Sequence, residues 1–228
     1  MTASPYGATF ALLRAGCPEP WRAYTHHLFV QGLGDGTLPQ ASFLHYLVQD
    51  YVFLVHFARA WSLGVVKAEA LDEMKICAST VDVLVNHEMA LHVKTCAQAG
   101  IDEATLFAAS EEFENLAYTR YVMDAGVQGD FLELMAALAA CWFGYGEIGA
   151  RLAQSATPDT PYRDWIATYA DDDYQNVMVS VGHMIDRAVT RRLGGDPAGS
   201  ARWPHLQARF TTATRLEVAF WDMGLRGA

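Results

Sequence analysis

The sequence predicts an all-α protein. Three observations predict it. Apolar residues recur at helical spacing along most of the chain, no stretch shows the alternation of a half-buried strand, and the breaks fall at Gly, Pro and Asp residues suited to helix ends. Short connections and the lack of repeats, linkers or low-complexity stretches lead to the expectation of one helical domain over residues 1–228, with about seven to nine helices.

In order along the chain, short helices are expected over 6–14 and 21–30. Gly32-Leu33-Gly34-Asp35-Gly36 should then break the pattern, because three glycines in five residues are poor helix material. Thr37 is the expected N-cap, with Pro39 in the first turn, of a helix reaching Lys67. Its apolar positions include Phe43, Leu47, Tyr51, Leu54 and Ala58, and its length suggests a bend or a break. A second long pattern over 70–99 stops at Gly100, a natural residue just past a helix end. Asp102 and Ser110 are expected N-caps, the second of a helix ending near Gly126. Asp130 should cap the most apolar helix, 131–154. Pro158 and Pro161 punctuate a loop before a short helix over 162–169. Asp171-Asp172-Asp173 places negative charge where a helix dipole favours it, at the start of a helix reaching Leu193, and the last helix covers 201–224.

Composition excludes several classes of function. The chain has 228 residues, 52% of them apolar and 18% charged, which suits a globular protein with its own core. The net charge of −10 and the lack of any basic cluster beyond Arg191-Arg192 argue against a nucleic-acid partner. No membrane association is expected, since the longest charge-free apolar runs are about a dozen residues where a span needs about 20. The N-terminus has no basic start ahead of an apolar core, so no secretory signal is read there. Cys17, Cys77, Cys96 and Cys141 form no CxxC pair and are expected to be free thiols of a cytoplasmic protein.

Four features could carry chemistry. Cys141 and Tyr145, in CWFGYGEIG, are i,i+4 and share a helix face. Gly144 and Gly146 beside them permit close approach of backbone or ligand. A Cys on an apolar helix is otherwise an inert small hydrophobe. Asp50 and Glu217 each interrupt an apolar stretch, and a carboxylate is seldom buried without a partner. They suggest a polar ligand or a buried hydrogen-bond network, against the alternative of a solvated face. In HEMALH, His87 and His92 are i,i+5, roughly 140° apart on a helix, and cannot face one ion. Glu88 and His92 are i,i+4 and are read as a structural pair, so no metal site is expected. The last feature is aromatic abundance, including Tyr46, Phe53, Tyr118, Trp142 and Tyr169. Most such rings are core, but several converging on a pocket would suit a flat, polar-edged heteroaromatic ligand.

The segments FVQGLGDGTLP, FLHYLVQDYVFL, HEMALH, CWFGYGEIG, WIATYADDDY and EVAFW occur in this order and at separations that resemble the TenA family, the thiaminase II or aminopyrimidine aminohydrolase group. No single segment is decisive; the ordered set, from Trp21 to Trp221, carries the resemblance. It implies the haem-oxygenase-like all-α fold without haem or other cofactor, and a homotetramer. Matched by motif, it implies that Asp50 holds an aminopyrimidine, that Phe53, Tyr118, Tyr145 and Tyr169 line the substrate, that Cys141 is the nucleophile and that Glu217 is the proton donor. Phe53 stands where the family often has Tyr, which keeps a ring and removes a hydroxyl.

The reaction so implied is hydrolysis at the methylene on C5 of a 4-amino-2-methylpyrimidine, in thiamin salvage. Thiolate addition at C6 with protonation of N1 would remove the aromaticity that blocks direct displacement. It needs an accessible thiolate and a carboxyl still protonated near neutral pH, a role for Glu217 beside Phe220 and Trp221, with Asp50 ionised. The alternatives are a non-catalytic binder or regulator of thiamin-related pyrimidines, and a metal-dependent oxygenase of the same fold.

Overall fold

The structure is a computed structural model that describes residues 4–227. Among these the chain is all-α, with no strand. Its helices are α1 (Ala8–Ala15), α2 (Pro18–Thr25), α3 (Leu28–Asp35), α4 (Gln40–Lys67), α5 (Leu71–Val83), α6 (Met89–Gln98), α7 (Glu103–Phe107), α8 (Phe113–Gln128), α9 (Phe131–Ser155), α10 (Arg163–Ala170), α11 (Asp172–Leu193) and α12 (Trp203–Leu225). A π-helical turn, Leu84–Glu88, joins α5 to α6, and a 3-10 turn, Pro197–Gly199, precedes α12.

The chain divides into two compact units, one of residues up to 38 and 135–218, the other of 39–134 and from 219 on. The first is built round a cluster of rings. Phe10 of α1 lies 4.6 Å from Phe143 of α9 and 5.3 Å from Trp21 of α2, and Trp21 stacks on Phe210 of α12 at 5.6 Å. Gln175 of α11 ties three helices of this unit together. Its amide donates to the carbonyls of Tyr169 (2.8 Å) and Gly146 (3.1 Å), and its oxygen accepts from the Tyr6 hydroxyl (2.5 Å). The second unit is organised on α4, which packs on α5, α6 and α8.

Local cap chemistry behaves as the sequence predicts at three helix starts. Asp102 accepts from the Thr105 N–H at 2.8 Å, Asp130 from Leu132 at 3.0 Å, and Asp171 from Asp173 at 2.9 Å. Elsewhere tertiary structure overrides the local reading. The predicted helix over 21–30 is split at His26-His27, and the glycine run predicted to be a loop is helical as far as Asp35. The reason is burial: Phe29, Val30 and Leu33 of α3 are fully enclosed, and the helix ends only at Gly36, whose φ of 78° is left-handed. Thr37 is not the cap of α4. Its N–H and hydroxyl both donate to Asp35 Oδ1, at 2.9 and 2.6 Å, and Pro39 holds the cap position. The helix then runs unbroken for 28 residues. Ser110 does not cap α8 either. The cap residue is Glu112, whose N–H donates to Gln49 Oε1 of α4 at 3.0 Å, while Gln49 Nε2 donates to the Ser110 carbonyl at 2.9 Å. The 70–99 run is interrupted by the π turn. With these divisions and the short α7, the described residues hold more helices than the sequence suggests.

Among the described residues one helix, α9, is long and apolar enough to cross a membrane; its charge-free run is short because Glu133 and Glu147 bound it. Its most apolar stretch is 83% buried inside the protein, as expected of a core helix.

Gly149 of α9 sets how closely α10 approaches. A Cβ there would stand 2.6 Å from the Tyr169 carbonyl carbon. Alanine gains about 1 kcal/mol of helix propensity over glycine, but overpacking a fixed backbone costs about 1–3 kcal/mol. Gly149→Ala should therefore lower the melting temperature by a few degrees in calorimetry, and an unchanged or raised Tm would show that α10 can yield.

Candidate functional site

In the second unit, Asp50 sits in the middle of α4 and is 3% exposed. Burying a carboxylate costs several kcal/mol unless it is paired and hydrogen-bonded. Two groups pair it. Tyr46, one turn earlier, donates its hydroxyl to Asp50 Oδ2 at 3.0 Å, and His92 of α6 reaches the same oxygen through Nε2 at 2.6 Å. His92 is fully buried, and its other nitrogen, Nδ1, lies 2.9 Å from the Glu88 carbonyl oxygen at the end of the π turn. Both ring nitrogens thus face acceptors, which an imidazolium satisfies with two N–H donors. Burial pulls the His92 pKa down, but the Asp50 hydrogen bond and charge, with Glu88, outweigh it and raise it above the ordinary histidine value. Both donors fall on Oδ2; among the described residues none engages Oδ1.

One turn along α4 is Phe53. Its ring stacks on Phe57 at 5.2 Å and meets Tyr118 of α8 at 4.9 Å and Phe220 of α12 at 5.6 Å. Tyr46 packs on Trp221 at 5.2 Å. The structure therefore gathers Asp50, Phe53 and Tyr118 in one unit, as a carboxylate and a wall of rings. The side chain of Asn115 fixes α8 against α4, donating to the Gln49 carbonyl (2.8 Å) and to Gln49 Oε1 (3.0 Å) one turn ahead of Tyr118.

In the first unit, Cys141 and Tyr145 lie one turn apart on α9, Cys141 9% exposed and Tyr145 buried. Tyr145 meets Tyr169 of α10 at 5.0 Å and Trp165 at 5.9 Å, and Trp165 and Tyr169 are 4.6 Å apart. Tyr174 closes on Tyr169 edge-on at 5.2 Å. Glu217 is buried on α12 in the same unit. The space Gly144 provides is filled by the Tyr24 ring, which a Cβ would meet at 2.1 Å, and that beside Gly146 by Tyr6.

All four cysteines are free and buried. Burial pushes the Cys17 thiol up, that of Cys96 to about 11 and that of Cys77 to about 12, where the Glu73 charge adds to the effect. These three are poor nucleophiles. A separate cleft in the first unit, about 340 Å³, is lined by Arg14, Trp21, Arg22, His26 and Glu147 and contains none of the predicted residues. Among the described residues no cluster of three or more His, Cys, Asp or Glu is placed to hold a metal ion.

Sequence reasoning missed the partner of Asp50. It read Glu88 and His92 as a structural pair; the Glu88 charge and carbonyl do act on His92, but its second nitrogen goes to Asp50. The available signal was a buried acid on one apolar helix and a histidine on the apolar face of another. It also missed Gln49 and Asn115, which join two helices.

Three comparisons bear on relationship. Residues 17–227 match the model of the TENA/THI-4/PQQC family. A crystal structure from Silicibacter sp. TM1040, described as a TenA family transcription regulator, is similar at a TM-score of 0.95 and 56% identity, covering 97% of this chain and 98% of that one. An uncharacterized protein of Haemophilus influenzae is 39% identical over 90% of this chain and 93% of its own length. An aminopyrimidine aminohydrolase of Halalkalibacterium halodurans is 33% identical over 89% of each. The chain belongs to the TENA/THI-4/PQQC family.

Proposed function

We propose that the protein is an aminopyrimidine aminohydrolase of the thiaminase II type, hydrolysing 4-amino-2-methylpyrimidines at the C5 methylene and serving thiamin salvage. The observation that carries this reading is Asp50: a buried carboxylate with one oxygen saturated by Tyr46 and His92, the other open to a donor, and aromatic rings one turn along its helix. A carboxylate so held accepts from an exocyclic amino group, and the rings take the flat face of a heterocycle. The relative named as an aminopyrimidine aminohydrolase supports the same reading.

In this reading the Cys141 sulfur bonds to ring C6 while Glu217 gives a proton to N1. The neutral adduct expels the amine or thiazole from the methylene with electrons from the 4-amino nitrogen. Water then adds to the methylene carbon, the S–C6 bond breaks, and N1 returns its proton, leaving the hydroxymethylpyrimidine. The protein's own contribution is a covalent route that splits one hard step into easier ones. Tyr118, Tyr145 and Tyr169 line the substrate. The reading carries a cytoplasmic homotetramer with it.

A second reading, binding without turnover, draws on the similar structure described as a transcription regulator. Incubation with 4-amino-5-aminomethyl-2-methylpyrimidine and with thiamin, measuring hydroxymethylpyrimidine released, separates the two. Tight binding with no release would favour the binder.

Three substitutions test the roles. Cys141→Ser should reduce kcat to below a few per cent with an unchanged circular dichroism spectrum, because an alcohol is a far weaker nucleophile than a thiolate; retained turnover removes the covalent step. Glu217→Gln keeps a donor but cannot transfer a proton, so kcat should fall about 10²–10⁴-fold while product affinity stays near that of the wild type. A near-normal kcat would move the proton transfer to another group. Asp50→Asn loses a hydrogen bond to a charged group, worth about 1.5–3 kcal/mol, and should weaken pyrimidine binding about 10- to 150-fold in calorimetry. Unchanged affinity would take recognition away from Asp50.

A further inference from the structure

We propose that His92 is the positioning residue of Asp50: as an imidazolium strung between the Glu88 carbonyl and Asp50 Oδ2, it fixes the rotamer of the carboxylate and leaves Oδ1 alone to receive one N–H of the ligand's amino group. The proposal rests on the reading of Asp50 as the recognition residue and deepens it.

Geometry carries it. The two short contacts lie on opposite sides of one ring, Nδ1 to Glu88 O at 2.9 Å and Nε2 to Asp50 Oδ2 at 2.6 Å. A neutral imidazole has one N–H, so against a carboxylate one of these contacts would set a lone pair against an oxygen. The ring is fully buried and water cannot repair the loss. The charged groups acting on it are Asp50 of α4 and Glu88 of the π turn, both negative, and both favour the imidazolium. The Tyr46 hydroxyl adds a second donor to the same oxygen. Two donors on Oδ2 hold the carboxylate against rotation about its own Cβ–Cγ bond, which would exchange the oxygens. The remaining oxygen is therefore a single, directed, charged acceptor. That geometry recognises a primary amino group on an aromatic ring and rejects a ring oxygen at the same position, which would place two acceptors face to face.

The arrangement also explains the π turn. An extra residue in the helical ladder between α5 and α6 changes the facing of everything after it, and His92 lies one turn beyond. In an unbroken helix over 70–99, His92 would meet α4 at a different angle.

The test has two arms. The first reads the ring directly and needs no ligand. In ¹⁵N-labelled protein the His92 signal, identified by its loss in His92→Gln, should still report both nitrogens protonated at a pH where an ordinary histidine is mostly neutral. In Asp50→Asn it should become neutral at that pH. A neutral His92 in the wild type overturns the proposal, whatever the enzyme's activity. The second arm reads the consequence. His92→Gln keeps one donor and loses the charge. It should weaken binding of 4-amino-5-hydroxymethyl-2-methylpyrimidine tenfold or more and raise KM to match, with kcat lowered no more than threefold. In an Asp50→Asn background it should weaken binding by less than twofold further, since the two residues act as one unit. A fall in kcat with unchanged affinity, or effects that multiply, overturns the positioning role. If the wild type neither binds nor cleaves aminopyrimidines while His92 is charged, the functional reading fails and Asp50 with it as a recognition residue, but the ion pair stands.

Discussion

Asp50 is a charge with almost no water, and much of the second unit is arranged to make that tolerable. An isolated carboxylate in this setting costs several kcal/mol. It is offset by a hydroxyl from its own helix, the His92 ring of α6, and a backbone carbonyl that meets the far side of that ring. Each piece constrains another element. α4 must stay regular from Tyr46 to Phe53 for Tyr46, Asp50 and Phe53 to lie on successive turns. α6 must present His92 at one depth and one angle, which the π turn permits. Asp50 and His92 are themselves almost or fully buried, which strengthens the pair.

Buried pairs of this kind are a poor investment for stability alone. Replacing such a pair by apolar residues of the same volume is often neutral or stabilising. Removing one partner is not, because it leaves the other charged and buried. The Gln49–Asn115 contact, close by on the sequence, is a useful contrast. It too is buried and polar, but it is neutral, it spans α4 and α8, and it satisfies the backbone at Ser110 and Glu112. It holds the two helices together even though Asn115 Oδ1 is itself buried without a partner among the described residues, so an open oxygen alone does not mark a site. What sets Asp50 apart is its acidic side chain together with the rings one turn along α4.

The all-α class was legible because it depends on apolar spacing summed over long stretches, and the helix starts at Asp102, Asp130 and Asp171 were legible because their caps are local. The start of α8 was not, since its capping oxygen comes from Gln49, more than sixty residues earlier. Nor was α3, where enclosed Phe29, Val30 and Leu33 hold a glycine-rich segment in a helix that its propensity disfavours. The same division holds at the site. That Asp50 and Glu217 interrupt apolar stretches could be read from the sequence, which left burial and a solvated face both open; the structure buries both. The identity of the group that pairs Asp50 could not, because the π turn alters helical phase between His87 and His92 and no residue in Leu84–Glu88 announces it.

The same energetic argument bears on the difference between a hydrolase and a binder. Recognition of an aminopyrimidine asks for an oriented acceptor and flat apolar walls, and Asp50 with its neighbouring rings has that character. A nucleophile adds nothing to recognition, and an acid adds at most a hydrogen bond to a ring nitrogen. Cys141 is inexpensive to bury, since a thiol behaves as a small apolar group, and its presence alone would not distinguish the two. Glu217 is different. It is enclosed on α12 just ahead of Phe220 and Trp221, where an apolar residue of similar volume would serve packing at lower cost. Under the proposed reaction that cost has a use, the delivery of a proton to a ring nitrogen, and replacing Glu217 is therefore the substitution that best separates turnover from binding alone.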